Sequence, residues 1–120
     1  MNKRSVGTDK EELAASYLAA QGMRIIERNF YCRQGELDII GFHEGYLVFT
    51  EVKYRRSTRY GEALAAVNFR KQCRICRAAD YYRYKNHYGP GTPVRYDVLA
   101  IQGENIQWIK NAFSHIYAGK

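Results

Sequence analysis

Two short segments, Gly35-Glu36-Leu37-Asp38-Ile39-Ile40 and Phe49-Thr50-Glu51-Val52-Lys53, constrain the fold of this chain more than any others. Both read as buried β-strand, yet together they carry four ionisable side chains. A carboxylate or ammonium in such a run is costly unless it is paired or bound to a metal. Between them lies Glu44-Gly45, flanked by His43 and Tyr46, which reads as a two-residue hairpin turn. That turn sets Asp38 opposite Glu51 and Glu36 opposite Lys53. Strand side chains alternate with a period of two, so all four are expected on one face, with facing Cβ atoms about 5 Å apart.

The flanking sequence supplies the other elements. Thr8-Asp9-Lys10-Glu11 has a capping-box pattern and opens a helix in which Leu13, Ala14, Tyr17 and Leu18 recur at helical spacing; Gly22 is its stop. Met23 to Tyr31 reads as the first strand, Leu37 to Gly41 and Tyr46 to Tyr54 as the hairpin strands, and Thr58 to Gly61 as a basic loop. Helical spacing returns from Ala63 to Tyr84, and Gly89-Pro90-Gly91-Thr92-Pro93 breaks the chain. Arg95 to Gln102 is a further strand, Gly103-Glu104-Asn105 a tight turn, and Ile106 to Ile109 a last short strand. The order of helix, three strands, helix, two strands predicts an α/β or α+β domain with a mixed sheet covered by helices. The second helix crosses over, so that the Arg95 strand lies beside the Glu51 strand. At 120 residues the chain suits one domain spanning residues 1–120, with 111–120 expected as a flexible tail.

No apolar run approaches the roughly 20 residues that cross a bilayer, and the N-terminus lacks the apolar stretch of a secretory signal. A cytoplasmic protein with no membrane association is expected. Cys32, Cys73 and Cys76 are an odd number of thiols, expected to be reduced. Cys73 and Cys76 have metal-ligand spacing without a second pair, so free thiols are favoured over zinc. Lys and Arg number 19 against 12 Asp and Glu, a formal charge of +7. The excess clusters at Lys53-Tyr54-Arg55-Arg56 with Arg59, and again at Arg70, Lys71, Arg74, Arg77, Arg83 and Lys85. Such a field favours a polyanion, of which nucleic acid is the commonest; the bland alternative is a solvated basic face.

Two adjacent carboxylates with a lysine beside them suit a hard divalent cation, with an ammonium near whatever the cation binds. The expected ligands are Asp38 and Glu51, with the Val52 backbone carbonyl as a third; the cation is Mg²⁺ or Mn²⁺. Lys53 then orients or deprotonates an attacking water or neutralises a phosphate. Glu36 has two readings, a second metal ligand or a tie for Lys53. The competing structural reading is a cross-strand ion pair of Glu36 or Asp38 with Lys53 that sets register. Three carboxylates around one lysine leave uncompensated negative charge, which favours the cation.

The succession Gly7-x-x-x-Glu11-x-x-Ala14-x-x-Tyr17-Leu18, Arg28-Asn29, Gly35-Glu36-Leu37-Asp38-Ile39-Ile40 and Phe49-Thr50-Glu51-Val52-Lys53-Tyr54-Arg55 resembles the YraN-type family of small bacterial proteins. These are similar to the restriction-endonuclease-like, PD-(D/E)xK nucleases and to archaeal Holliday-junction resolvases. The resemblance runs from Gly7 to Val98, and includes Val67, Lys71 and Arg95-Tyr96-Asp97. It implies a restriction-endonuclease-like core with Asp38, Glu51 and Lys53 as a nuclease triad. It adds Glu11 as an accessory acid at the metal, beside its alternative role in the capping box. Lys10 stands where the family usually has glycine, so that a cation there contacts phosphate or weakens a metal ligand. Lys10, Arg55, Arg56, Arg59 and Lys71 are the expected nucleic-acid contacts. The function implied is a metal-dependent endonuclease on DNA, including structured or branched DNA; the alternative is a nucleic-acid-binding module that keeps the fold without turnover. Junction resolution would favour a homodimer.

Overall fold

The computed structural model of the chain describes residues 3–55 and 67–117, with side chains from Lys10 onward. In chain order the elements are α1 (Lys3–Ala20), β1 (Arg24–Cys32), β2 (Gly35–His43), β3 (Tyr46–Tyr54), α2 (Phe69–Lys85), β4 (Val94–Gln102) and β5 (Asn105–Phe113). They form one five-stranded sheet in the order β1-β2-β3-β4-β5. Neighbours are antiparallel except β3 and β4, which run parallel with Glu51 beside Val98. A parallel pair needs a crossover, and α2 lies within it. This is the mixed sheet flanked by two helices that the element order predicts, and it is consistent with a restriction-endonuclease-like core.

The sheet is covered on both faces. Phe30, Leu37, Ile40, Phe49, Tyr96 and Val98 pack against Ile75, Cys76, Ala78, Ala79 and Tyr82 of α2. On the other face Ile39, Val48, Leu99 and Ile101 meet Ala14 and Leu18 of α1. The interior strand β4 is therefore buried at seven of its nine positions, with Arg95 and Asp97 among them. Complete burial of a leucine such as Leu18 contributes about 2–3 kcal/mol.

Several boundaries differ from the sequence reading. Helix α1 begins at Lys3, so Thr8 lies inside it and the capping-box role of Glu11 falls away. Its end is as expected: Gly22 takes φ +101°, and the Met23 amide donates to the Leu18 carbonyl at 3.0 Å. Helix α2 starts at Phe69, with Asn68 as its cap. Asn68 is extended, and its Oδ1 accepts from the Lys71 amide at 2.9 Å. Residues 63–66 of the expected helix, and the expected Thr58–Gly61 loop, lie outside the described residues. Strand β5 continues to Phe113, past the expected end at Ile109. The expected tail is correspondingly shortened: the Tyr96 hydroxyl meets His115 Nδ1 at 2.6 Å, and the Ile116 amide donates to Cys76 Sγ at 3.3 Å. Among the described residues no helix is long and apolar enough to cross a membrane.

Candidate functional site

The site grows from the β2–β3 hairpin. Glu44 (φ +52°) and Gly45 (φ +85°) form its turn, both in the left-handed region that a tight two-residue hairpin requires. The register is the expected one from His43↔Tyr46 through Ile39↔Thr50, and there the ladder ends. In a regular antiparallel pair the hydrogen-bonded residues alternate, so Val52 would next exchange bonds with Leu37. Instead the Val52 amide donates to Asp38 Oδ2 at 2.8 Å. The carboxylate wedges into the place of a backbone carbonyl and holds the two strands open.

This changes the expected geometry. Leu37 packs toward α2 and Ile39 toward α1, although residues two apart in a regular strand share a face. The alternation therefore breaks at Asp38. Strand β1 breaks with it: Arg28, paired with Ile39, reaches Glu12 of α1 at 2.7 Å, while Phe30, paired with Leu37, packs toward α2. Asn29 between them takes φ +52°, a conformation asparagine tolerates better than most residues. The expectation that Glu36, Asp38, Glu51 and Lys53 share one face by simple alternation is thus corrected. Glu36 and Asp38 line a cleft of about 120 Å³ on the α1 side, with Glu11, Arg28, Asn29, Val52 and Tyr54.

Asp38 and Glu51 nevertheless meet at the opened gap. Burial, and next the negative charge of Glu51, push the Asp38 carboxyl up from its ordinary 3.8 to about 7. The Val52 amide opposes that shift without cancelling it, and Glu36 adds to it. Glu51 is 6 % exposed, and its Oε2 lies 3.3 Å from Lys53 Nζ and 3.4 Å from Lys71 Nζ. Lys53 is therefore tied by Glu51. The alternative tie to Glu36 fails because the ladder stops at Ile39↔Thr50. Glu36 instead hydrogen-bonds the Tyr31 phenol and raises its pKa.

The remaining expected site residues are distributed around this centre. Glu11 of α1 accepts from Asn29 Nδ2 at 3.3 Å at the mouth of the cleft. Lys10 lies 5.1 Å from the centre of the Tyr54 ring, a cation–π contact. Arg55 follows β3, its amide donating to the Ile101 carbonyl at 2.7 Å. Arg56 and Arg59 lie outside the described residues. Lys71, expected as a nucleic-acid contact, reaches inward from the first turn of α2 to Glu51. Sequence reasoning missed that contact, and it missed Arg28 and Asn29 as the residues that bind α1 to the cleft. An Arg-Asn pair inside an apolar strand was the available signal for the latter.

A second buried polar cluster stands apart from the cleft. Asp97 is fully buried and accepts from Arg95 Nη2 and Trp108 Nε1, both at 2.8 Å, and from the Asn111 amide at 2.9 Å. Arg95 also meets His43 Nδ1 at 3.0 Å. Its members satisfy one another, which marks the cluster as a lock between β2, β4 and β5. All three cysteines are free thiols, with Cys76 buried under the C-terminal segment. Among the described residues no group of three His, Cys, Asp or Glu side chains forms a ready-made metal cage.

Fold and site together define a small α/β protein with a carboxylate pair and two lysines at an opened hairpin. Comparison with known proteins gives the family. Residues 10–101 match the uncharacterised protein family UPF0102. The chain is 47% identical to a UPF0102 protein of Lachnoclostridium phytofermentans, over 94% of this chain and 96% of that one. Relatives in Alcanivorax borkumensis (43% identical; 93% and 94% covered) and Nitrosococcus oceani (40%; 92% and 92%) carry the same description. The chain belongs to the UPF0102 family, the YraN-type family its motifs resemble.

Proposed function

We propose that this protein is a Mg²⁺- or Mn²⁺-dependent endonuclease that hydrolyses phosphodiester bonds of DNA, with structured or branched DNA among its substrates. The observation that carries the reading is the Asp38–Glu51 pair. A protein does not bury two like charges together, at the cost of lifting one carboxyl to about 7, without some compensation. A divalent cation is the natural one. It would be held by Asp38 and Glu51, two carboxylates being the usual protein share of a Mg²⁺ site. The Val52 carbonyl is the third candidate, since a strand residue directs its N–H and C=O to the same side and the Val52 N–H faces Asp38. Once bound, such an ion stabilises charge on phosphate oxygens and acidifies water.

The chain's own residues supply the rest. Lys53 and Lys71 lie 3.3 and 3.4 Å from Glu51 Oε2 and would be free to turn to the substrate if a cation engaged that carboxylate. Lys53, two residues beyond Glu51, holds the attacking water or neutralises the scissile phosphate. Glu11 and Glu36 border the same cleft, where they accept hydrogen bonds from water. Lys10 and Arg55 lie at its rim and meet the backbone of the nucleic acid, with Arg56 and Arg59 next along the chain.

One observation favours the second reading, a nucleic-acid-binding module without turnover: the two lysines already satisfy Glu51. A cleavage assay separates the two. Nicked, duplex and branched DNA are incubated with Mg²⁺ or Mn²⁺, using wild type and Lys53→Ala. Endonuclease activity predicts cleavage that needs metal and falls at least about a hundredfold in the variant. Equal turnover by Lys53→Ala would remove the mechanism, and binding by both proteins without any cut would establish the module.

A further inference from the structure

Helix α2 has a second face that neither the core nor the site uses. Its buried residues, Ile75, Cys76, Ala78, Ala79 and Tyr82, lie on the sheet. Arg70, Arg74, Arg77 and Tyr81 are exposed and recur at intervals of four, three and four, the spacing of a single helical stripe. The rise of about 1.5 Å per residue places the Cα atoms of the three arginines about 6 and 4.5 Å apart along the axis. None of the three side chains makes a hydrogen bond or ion pair among the described residues. Arg83, farther along the helix, is by contrast paired with Asp80 at 3.7 Å. Asp80 is the one acid in the 17 residues of α2, and it is also engaged by His115 at 3.4 Å.

The stripe is joined to the site at two points. Lys71, next to Arg70, reaches Glu51. Midway along, α2 lies close against the start of β2, since a Cβ added to Gly35 would stand 3.6 Å from the Arg74 carbonyl. Exposed Arg33, in the β1–β2 turn, therefore extends the same surface toward Glu36 and Asp38.

We infer that the outer face of α2, Arg33, Arg70, Arg74 and Arg77 with Tyr81, is a track for the phosphate backbone of duplex DNA leading, by way of Lys71, to Glu51 at the opened hairpin. Guanidiniums that are unpaired among the described residues and lie about 4.5 and 6 Å apart along the axis are spaced to meet separate phosphates of a strand that carries one per about 3.4 Å, and arginine binds phosphate in bidentate fashion. The stripe has no apolar centre of the kind a protein partner would need. Docking here holds the duplex by its backbone without reading base sequence. The inference deepens the proposed function by naming the substrate's route, but binding along α2 does not require cleavage.

The test is binding of a short fluorescein-labelled DNA duplex, followed by anisotropy in EDTA across a salt series. It compares wild type with Arg70→Gln/Arg74→Gln/Arg77→Gln. Working without metal separates failure of the track from failure of the nuclease reading. Three lost phosphate contacts should weaken binding at least tenfold at low salt and make the slope of log K against log salt shallower by about 2.7. Thermal melting of the Gln variant checks its fold, and single Arg→Gln substitutions, each shallower by about 0.9, stand in if the triple variant fails to fold. An unchanged slope in the folded variants, no DNA binding by wild type, or tenfold tighter binding of an RNA duplex would each overturn the inference.

Discussion

Asp38→Asn should make the metal-free protein more stable at neutral and alkaline pH while depriving it of the proposed metal. The Asp38 carboxyl is pushed up from 3.8 to about 7 by burial and by Glu51, and three units correspond to about 4 kcal/mol. Because the carboxyl is only partly buried, about half that is the working figure. The sign follows from linkage. The folded protein holds the proton more tightly than the unfolded chain, so ionising Asp38 costs nothing below pH 4, where both states are protonated. The cost grows as pH rises from 4 to 7 and is complete above 7. An asparagine in its place carries no such cost, keeps an oxygen for the Val52 amide, and offers an N–H to Glu51. The expected gain is about 2 kcal/mol at pH 8, or a Tm higher by roughly 10 °C, shrinking to nothing near pH 4. Thermal melts of both proteins in EDTA from pH 4 to 8 measure it. Adding Mg²⁺ at pH 8 should then raise the Tm of wild type alone. A variant that is less stable at pH 8, or whose difference from wild type does not change with pH, would refute the account of Asp38.

Two further substitutions test the frame that holds the site. Asp97→Ala leaves Arg95 buried beside His43 without its carboxylate, and should cost about 3–5 kcal/mol in chemical denaturation; a loss below about 1 kcal/mol would mean the cluster is not a lock. Gly41→Ala puts a Cβ 2.8 Å from the Arg24 carbonyl and from Met23 Cγ. The pairing of β1 with β2 must shift to admit it, at about 1–3 kcal/mol, read as a lower denaturation midpoint with an unchanged slope.

Much of this arrangement was legible in the sequence because local rules and the global fold agree. Glu44-Gly45 fixed the hairpin register, and a helix between two strands required a parallel crossover, so the Arg95 strand beside the Glu51 strand could be expected. Alternation failed at Asp38, where a side chain competes with the backbone for the Val52 amide. Asn29, across the ladder, takes φ +52° at the same point, and no period-two rule contains such a break. The start of α2 was misread because Val67, a core residue 2 % exposed, extends the apolar stripe past the Asn68 cap. The length of β5 was hidden for a similar reason. Asn111 takes φ +53° and gives its amide to Asp97, a long-range bond that carries the strand past the polar Lys110-Asn111. Asp38 and Glu51 were recognised as partners, but their distribution about the opened hairpin was not.

The most direct test is a crystal grown with Mn²⁺ and measured at the manganese edge. The expected result is an anomalous peak about 2.0–2.2 Å from carboxylate oxygens of both Asp38 and Glu51, with Lys53 and Lys71 turned away from Glu51. A peak elsewhere, or none at millimolar Mn²⁺ with both lysines still on Glu51, would contradict a shared ion and leave the proposed hydrolysis without its cation.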